Sequence, residues 1–103
     1  MLNQVILVGR IDSISKIKTV NKEYQCTVVL KIQMPGQEEP EYIPTILQGD
    51  MATATKHLEA GNVIGVKGRL KSNGVVIYLY ADRTTFISGK LKGEIDDAAF
   101  KTR

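Results

Sequence analysis

Residues 63–80 read VIGVKGRLKSNGVVIYLY, two β-rich runs on either side of Asn73-Gly74. Asn-Gly between such runs is the strongest short-range sign of a hairpin, because both residues tolerate the positive φ of a two-residue type I′ turn. With Asn73 and Gly74 as the loop, Ser72 pairs with Val75. Counting outward sets Lys71 against Val76, Arg69 against Tyr78 and Lys67 against Tyr80. Side chains alternate along a strand, so these six share one face. Ile64, Val66, Gly68 and Leu70, with Ile77 and Leu79, form the other face, which is apolar enough to be core.

Upstream of the hairpin, residues 3–18 open with Val5-Ile6-Leu7-Val8, pass Gly9-Arg10 and continue through Ile11, Ile14 and Ile17. β-branched density with an interior glycine predicts a long first strand carrying a bend or bulge. A turn follows at Asn21-Lys22-Glu23. Tyr24, Cys26, Val28, Leu30, Ile32 and Met34 then alternate with Gln25, Thr27, Val29, Lys31 and Gln33. That period of two predicts a half-buried second strand. A polar loop spans Pro35 to Pro40, and Glu41 to Gln48 is the third strand, with Pro44 predicting an edge or bulged position. Residues 49–60 are the one convincing helix, with Asp50 as N-cap, Gly61 as terminator and Met51, Ala54 and Leu58 as its apolar stripe. The fourth strand is Val63 to Ser72 and the fifth Val75 to Ser88.

Residues 1–88 therefore form one domain, and residues 89–103 a polar C-terminal tail. Strands joined without helices pair antiparallel. The chain is read as all-β: a five-stranded antiparallel barrel with one short helix between strands 3 and 4, the element order of the OB-fold.

Composition narrows the function. The 103 residues fit one domain, with 43% hydrophobic and 24% charged residues, an ordinary globular balance. No apolar run approaches the ~18 residues of a membrane span. Val5 to Val8 is too short for a signal peptide and follows no basic residue. The single cysteine, Cys26, cannot form an intramolecular disulfide, which points to the cytoplasm. Enzyme chemistry finds little purchase: His57 falls on the helix facing solvent and Cys26 on a core face. No metal-ligand spacing, phosphate loop or nucleophile elbow is present, so neither a cofactor nor catalysis is expected. The net charge of +3 permits a polyanionic partner without demanding one.

The hairpin face interleaves Lys67, Arg69 and Lys71 with Tyr78 and Tyr80. Cations bind phosphates, and an aromatic ring offers a base a stacking platform worth roughly 1–3 kcal/mol. Two other readings stand beside this one. The tyrosines could simply stabilise the hairpin, at roughly 0.2–1 kcal/mol per cross-strand pair, or the face could be a subunit interface.

Four ordered segments resemble the bacterial single-stranded DNA-binding protein family. They are Met1 to Ile11, Leu47-Gln48-Gly49 with the helix ending His57-Leu58-Glu59-Ala60-Gly61, Asn62 to Leu70, and Tyr80-Ala81-Asp82 through Phe86. The resemblance implies an OB barrel, usually a homotetramer paired through its first strand, with a dimer as the smaller form. It implies binding of single-stranded DNA without sequence preference during replication, recombination or repair, in the nucleoid. By the same resemblance Tyr42 falls where the family has a stacking tryptophan, and Lys71 falls on a basic position, with Arg69 and Lys67 on its face. Arg10, in the matching first segment, and Lys31, on the polar face of the second strand, complete the candidate set.

The departures from the family are specific. There is no Trp, Gln48 replaces an aromatic, Met34-Pro35-Gly36 lacks another, and the long loop between the last strands shrinks to Asn73-Gly74. A weaker or shorter binding site is expected. Glu94, Asp96, Asp97 and Phe100 echo the acidic tip that docks replication and repair enzymes. Lys101-Thr102-Arg103 follows them, so a short helix or frayed tail is expected rather than docking. The acidic run Glu38-Glu39-Pro40-Glu41 reads as a solvated loop that steers DNA away from itself. The alternatives are a dimeric OB-fold assembly factor resembling primosomal replication protein N, or an OB module that mainly binds protein.

Overall fold

A computed structural model describes residues 1–89. Its elements are β1 (Val5–Ile14), β2 (Lys18–Val20), β3 (Glu23–Ile32), β4 (Glu41–Gln48), α1 (Asp50–Ala54) running into a 3₁₀ turn (Thr55–His57), β5 (Val63–Ser72) and β6 (Ile77–Ser88). The five long strands close into a ring in the order β1-β5-β6-β4-β3, with β3 returning to β1. This is the OB-fold barrel expected from the element order. The short β2 is an addition, an outrigger paired with β3 alone.

The alternation read in β3 holds over most of its length. Cys26, Val28 and Leu30 are buried and join Ile11, Leu47, Ile64, Val66 and Leu79 in the barrel core. The ends of the pattern escape it: Tyr24, in the part of β3 that pairs with β2 and not β4, and Met34, beyond the end of β3 at Ile32, are both exposed. Leu70 and Ile77 also fall outside the core that the hairpin pattern gave them, since the β5–β6 hairpin projects past the end of the ring.

Ring closure is uneven. β5 and β6 share ten registered pairs from Val63–Ser88 to Ser72–Ile77, whereas β4 and β6 meet only at Thr45–Leu79 and Ile46–Tyr80. That short contact is parallel, a correction to the wholly antiparallel barrel. Pro44 stands one residue before it, the expected place for a residue with no N–H to contribute to a ladder. The strand is an inner member of the ring, however, and not an edge.

The first expected strand is broken in two. Its register against β3 shifts between Ile11 and Ser13, and the chain leaves the sheet after Ile14 before resuming as β2. Asn21 and Lys22 both take positive φ between Val20 and Glu23, the signature of the two-residue turn expected farther downstream. The helix is shorter than residues 49–60 suggested. Gly49 stands at its N-cap without a side-chain bond, Asp50 is already helical, and Ala52, Thr55 and Leu58 are the buried positions.

Candidate nucleic-acid interface

At the hairpin, the loop holds four residues and not two: Ser72 pairs with Ile77, Lys71 with Tyr78 and Arg69 with Tyr80. The cause is local. The Asn73 side-chain oxygen accepts from the backbone N–H groups of both Val75 and Val76, each at 3.0 Å, an Asx-type turn that draws both residues into the loop. The expected register was therefore wrong by two. Because side chains alternate with period two, a slip of two leaves every residue on its face. Arg69, Lys71, Tyr78 and Tyr80 remain together on the outer wall.

Lys67, two residues before Arg69 on an unbroken β5, keeps that face but not its expected partner. A second shift lies between Lys67 and Gly68, and Lys67 faces Arg83 across the pair instead of Tyr80. On its other side it faces Ile6 of β1. Arg83 was not among the candidates, and only the corrected register reveals it. The bulge has a visible reason at Gly68, whose position a Cβ cannot share with the Tyr80 backbone.

The second cluster sits on β1, β3 and β4. Arg10 pairs with Lys31, and Lys31 pairs with Tyr42, so three candidates from three strands form one row on the outer wall. Tyr42 is 52% exposed, and among the described residues its hydroxyl makes no hydrogen bond. Arg10 donates to the Gly61 carbonyl at 2.8 Å, which fixes its guanidinium at the barrel end. A groove of about 600 Å³ opens beside Arg10 and Lys31, bounded by the loop after β3 at Met34 and Gln37. That loop is stapled to itself: Gln33 donates to the Gln37 carbonyl at 3.0 Å, and the Met34 N–H donates to the Gln37 side chain at 3.1 Å.

Between the clusters runs a polar seam. Tyr80 donates its hydroxyl to Gln48, whose amide donates to Gln25 at 3.1 Å, so β6, β4 and β3 are linked across the outer surface. Arg69 lies 5.3 Å and Lys71 4.5 Å from the Tyr80 ring centroid, both within cation–π range. Arg69 also reaches Asp82 at 3.7 Å. Sequence reasoning passed over Gln25, Gln48 and Asp82, because neutral amides and a single carboxylate carry no pattern until the register is known. Tyr42 and Ile46 are four residues apart on β4, so roughly 13 Å of strand separates the two clusters.

Cys26 is buried, with Thr55 at 3.7 Å. Burial pushes its thiol pKa up from 9.0, and the Thr55 hydrogen bond partly offsets that. A neutral, shielded thiol is a poor nucleophile. Among the described residues no group of three or more His, Cys, Asp or Glu side chains could hold a metal ion, and no helix is long and apolar enough to cross a membrane.

Comparison with known proteins places the chain beside one group. No protein-family model matches it. "Single-stranded DNA-binding protein 3" of Clostridium acetobutylicum is 27% identical over 78 residues, covering 69% of this chain. The match takes in 54% of that protein, so the chain spans about half the length of the curated relative. The wild-type single-stranded DNA-binding protein of Thermus aquaticus superposes with a TM-score of 0.73 at 18% identity, over 94% of this chain and 45% of that one. The N-terminal domain of the dimeric PriB protein of Thermoanaerobacter tencongensis gives a TM-score of 0.70 at 18% identity, over 84% of this chain and 98% of that one. The two structural likenesses establish the fold, and the sequence match establishes the resemblance read from the four segments.

Proposed function

We propose that this chain, which resembles the bacterial single-stranded DNA-binding proteins in sequence and in fold, binds single-stranded DNA without sequence preference and catalyses no reaction. The observation that carries the reading is the outer wall itself. Arg10, Lys31 and Tyr42 form a row on one sector, and Arg69, Lys71, Tyr78 and Tyr80 gather on the next. Cations interleaved with aromatic rings are what a strand with exposed bases and charged phosphates requires. Lys67 and Arg83 extend the positive charge round the wall toward β1. The relatives' names support the same ligand.

The chain works in this reading as a homo-oligomer in replication, recombination or repair, in the cytoplasm. Ile6 and Val8 of β1 and Ile87 of β6 are exposed on one outer face, an apolar patch suited to a second copy. A tetramer follows the resemblance to the single-stranded DNA-binding family and a dimer the likeness to PriB, and solution mass separates them. Glu94, Asp96, Asp97 and Phe100, the residues that echo a partner-docking tip, lie outside the described residues.

The test is fluorescence anisotropy of a labelled oligo-dT at two salt concentrations, with duplex DNA of equal length as control. Binding releases counterions, so affinity should fall steeply with salt, by about 0.7 in log–log slope per phosphate neutralised on a single strand. Salt-sensitive binding to the single strand alone is the expected result. Absence of binding at low salt would turn attention to the protein-binding alternative, in which Tyr78 and Tyr80 are consumed by oligomer contacts.

A further inference from the structure

We propose that Tyr80 is a positioning residue and not a base-stacking platform: its ring is the shelf that aims Arg69 and Lys71 at the phosphate backbone, and stacking falls to Tyr42 and Tyr78. This rests on the reading of the chain as a single-strand binder and divides the labour within that site.

Three features of Tyr80 lead there. Its ring is already occupied, with the Arg69 guanidinium 5.3 Å and the Lys71 ammonium 4.5 Å from the centroid. A base stacking on that ring displaces cations that a polyanion needs. Its hydroxyl is committed to Gln48, and Gln48 to Gln25, so the ring is anchored from the far side of the β4–β6 seam. That seam has only two registered pairs, and Tyr80 stands in one of them, opposite Ile46. The side chain therefore ties two weakly joined strands and fixes the azimuth of the two cations together.

Tyr42 and Tyr78 differ from it. Tyr42 is exposed, and among the described residues neither ring lies under a cation and neither hydroxyl makes a hydrogen bond. Each is paired across the sheet with a lysine, Lys31 and Lys71, placing a phosphate-binding group next to a ring that is exposed at Tyr42 and half-buried at Tyr78. Lys71 is shared by the two roles: it faces Tyr78 in the ladder while its ammonium leans over Tyr80.

The experiment compares oligo-dT with an abasic strand of the same length, which keeps the phosphates and lacks the bases. A stacking tyrosine matters only to the first, whereas a residue that positions cations matters equally to both. Tyr80→Leu is expected to weaken both strands by the same factor and to flatten the salt dependence by up to about 1.4, two contacts at about 0.7 each. Tyr80→Phe, which keeps the shelf, should leave that slope unchanged. Tyr78→Leu should weaken oligo-dT alone. A Tyr80→Leu loss confined to oligo-dT, with the slope intact, would overturn the proposal.

Photocrosslinking covers the case in which Tyr80→Leu does not fold. With the unaltered chain and 5-iodouracil in the oligonucleotide, crosslinks are expected at Tyr42 and Tyr78. A crosslink at Tyr80 overturns the proposal. Binding of neither strand by the unaltered chain overturns the function itself and this role with it.

Discussion

Tyr42 and Tyr80 stand on the same outer wall of the barrel, and their surroundings differ in almost every respect. The sector around Tyr42 is open: an exposed ring, Lys31 beside it across the ladder, and a groove next to Arg10. The sector around Tyr80 is closed upon itself, with two cations over its ring, an amide relay at its hydroxyl and a carboxylate on one of those cations. An open site binds a partner by contacts it has yet to make. A self-paired site must exchange existing contacts, but it presents its charges already oriented. The difference teaches that residues equal in sequence terms, tyrosines flanked by basic residues, need not do equal work.

The comparison breaks most completely at the backbone. A Cβ at Gly68 would collide with the Tyr80 carbonyl oxygen and lie 2.9 Å from its carbon and 3.1 Å from the Ala81 Cα. These are main-chain atoms of the adjoining strand, and they cannot swing aside. Overpacking typically costs about 1–3 kcal/mol and occasionally more, and Gly68→Ala is expected at or above the top of that range. Gly36, in the loop beside the open sector, has nothing within 4 Å of a Cβ and a φ of +83°. Gly36→Ala should cost only left-handed strain, about 1–2 kcal/mol. Urea denaturation of both variants checks this, and equal midpoints would contradict the claim that the Tyr80 sector is the rigid one.

Truncating the open ring should separate binding from folding. Tyr42→Ala is expected to lose about 1–3 kcal/mol of oligo-dT affinity, the usual worth of one stacked base. Its urea midpoint should stay close to the unaltered chain's, since surface changes away from special features remain within about 0.5 kcal/mol. Anisotropy and denaturation on the same preparation decide it. A large loss of stability with little change in affinity would make Tyr42 part of the fold and not of the interface.

How far the sequence carried these distinctions depends on what each signal measures. Strand identity was legible because alternation and β-branched density are local. β4 and β5 begin and end at the expected residues, Glu41–Gln48 and Val63–Ser72. The wall residues were legible because parity survives an even slip: Arg69 and Tyr80 share a face in either register. Partnership was not legible. Asn73 carries a turn-forming amide as well as a tolerance for positive φ, and the amide decided the loop length. The bulge at Asp82 that gives Lys67 Arg83 as partner in place of Tyr80 follows from a close backbone approach at Gly68, which no pattern of residue types reports. The Tyr80–Gln48–Gln25 relay joins residues 25, 48 and 80, and it appears only once the ring closes.

A finer probe of the self-paired sector is its carboxylate. Asp82 holds Arg69 at 3.7 Å with both side chains about half exposed. Such surface pairs are worth about 0–1 kcal/mol, so a phosphate can displace the carboxylate at little cost. Asp82→Asn removes the competitor and should raise oligo-dT affinity by a few-fold at low salt, within about 1 kcal/mol. At high salt, where exposed charges are screened, the gain should vanish. Anisotropy titrations at the two salt concentrations measure it. An affinity unchanged or reduced at low salt would mean that Asp82 orients Arg69 and does not restrain it.

The smallest expected effect lies behind both sectors, at Cys26. Its thiol is neutral and buried against Thr55, and burial raises its pKa above 9.0. Between that unfolded value and the raised folded one, the native state holds a proton that the unfolded chain has released. Stability from the buried neutral thiol is thus fully present below 9.0 and is lost as pH rises through the folded value. Cys26→Ala should lower stability at neutral pH by leaving a small cavity. It should also flatten the decline of stability that sets in above 9.0. Oligo-dT affinity should not change, because Cys26 faces the core and both sectors face outward. Urea midpoints across that pH range supply the check, with the labelling rate of the native thiol by a disulfide reagent as a second readout. An alkaline slope identical in the two proteins would assign the decline to other groups. A change in affinity would mean that packing in the shared core sets how the two outer sectors are held relative to each other.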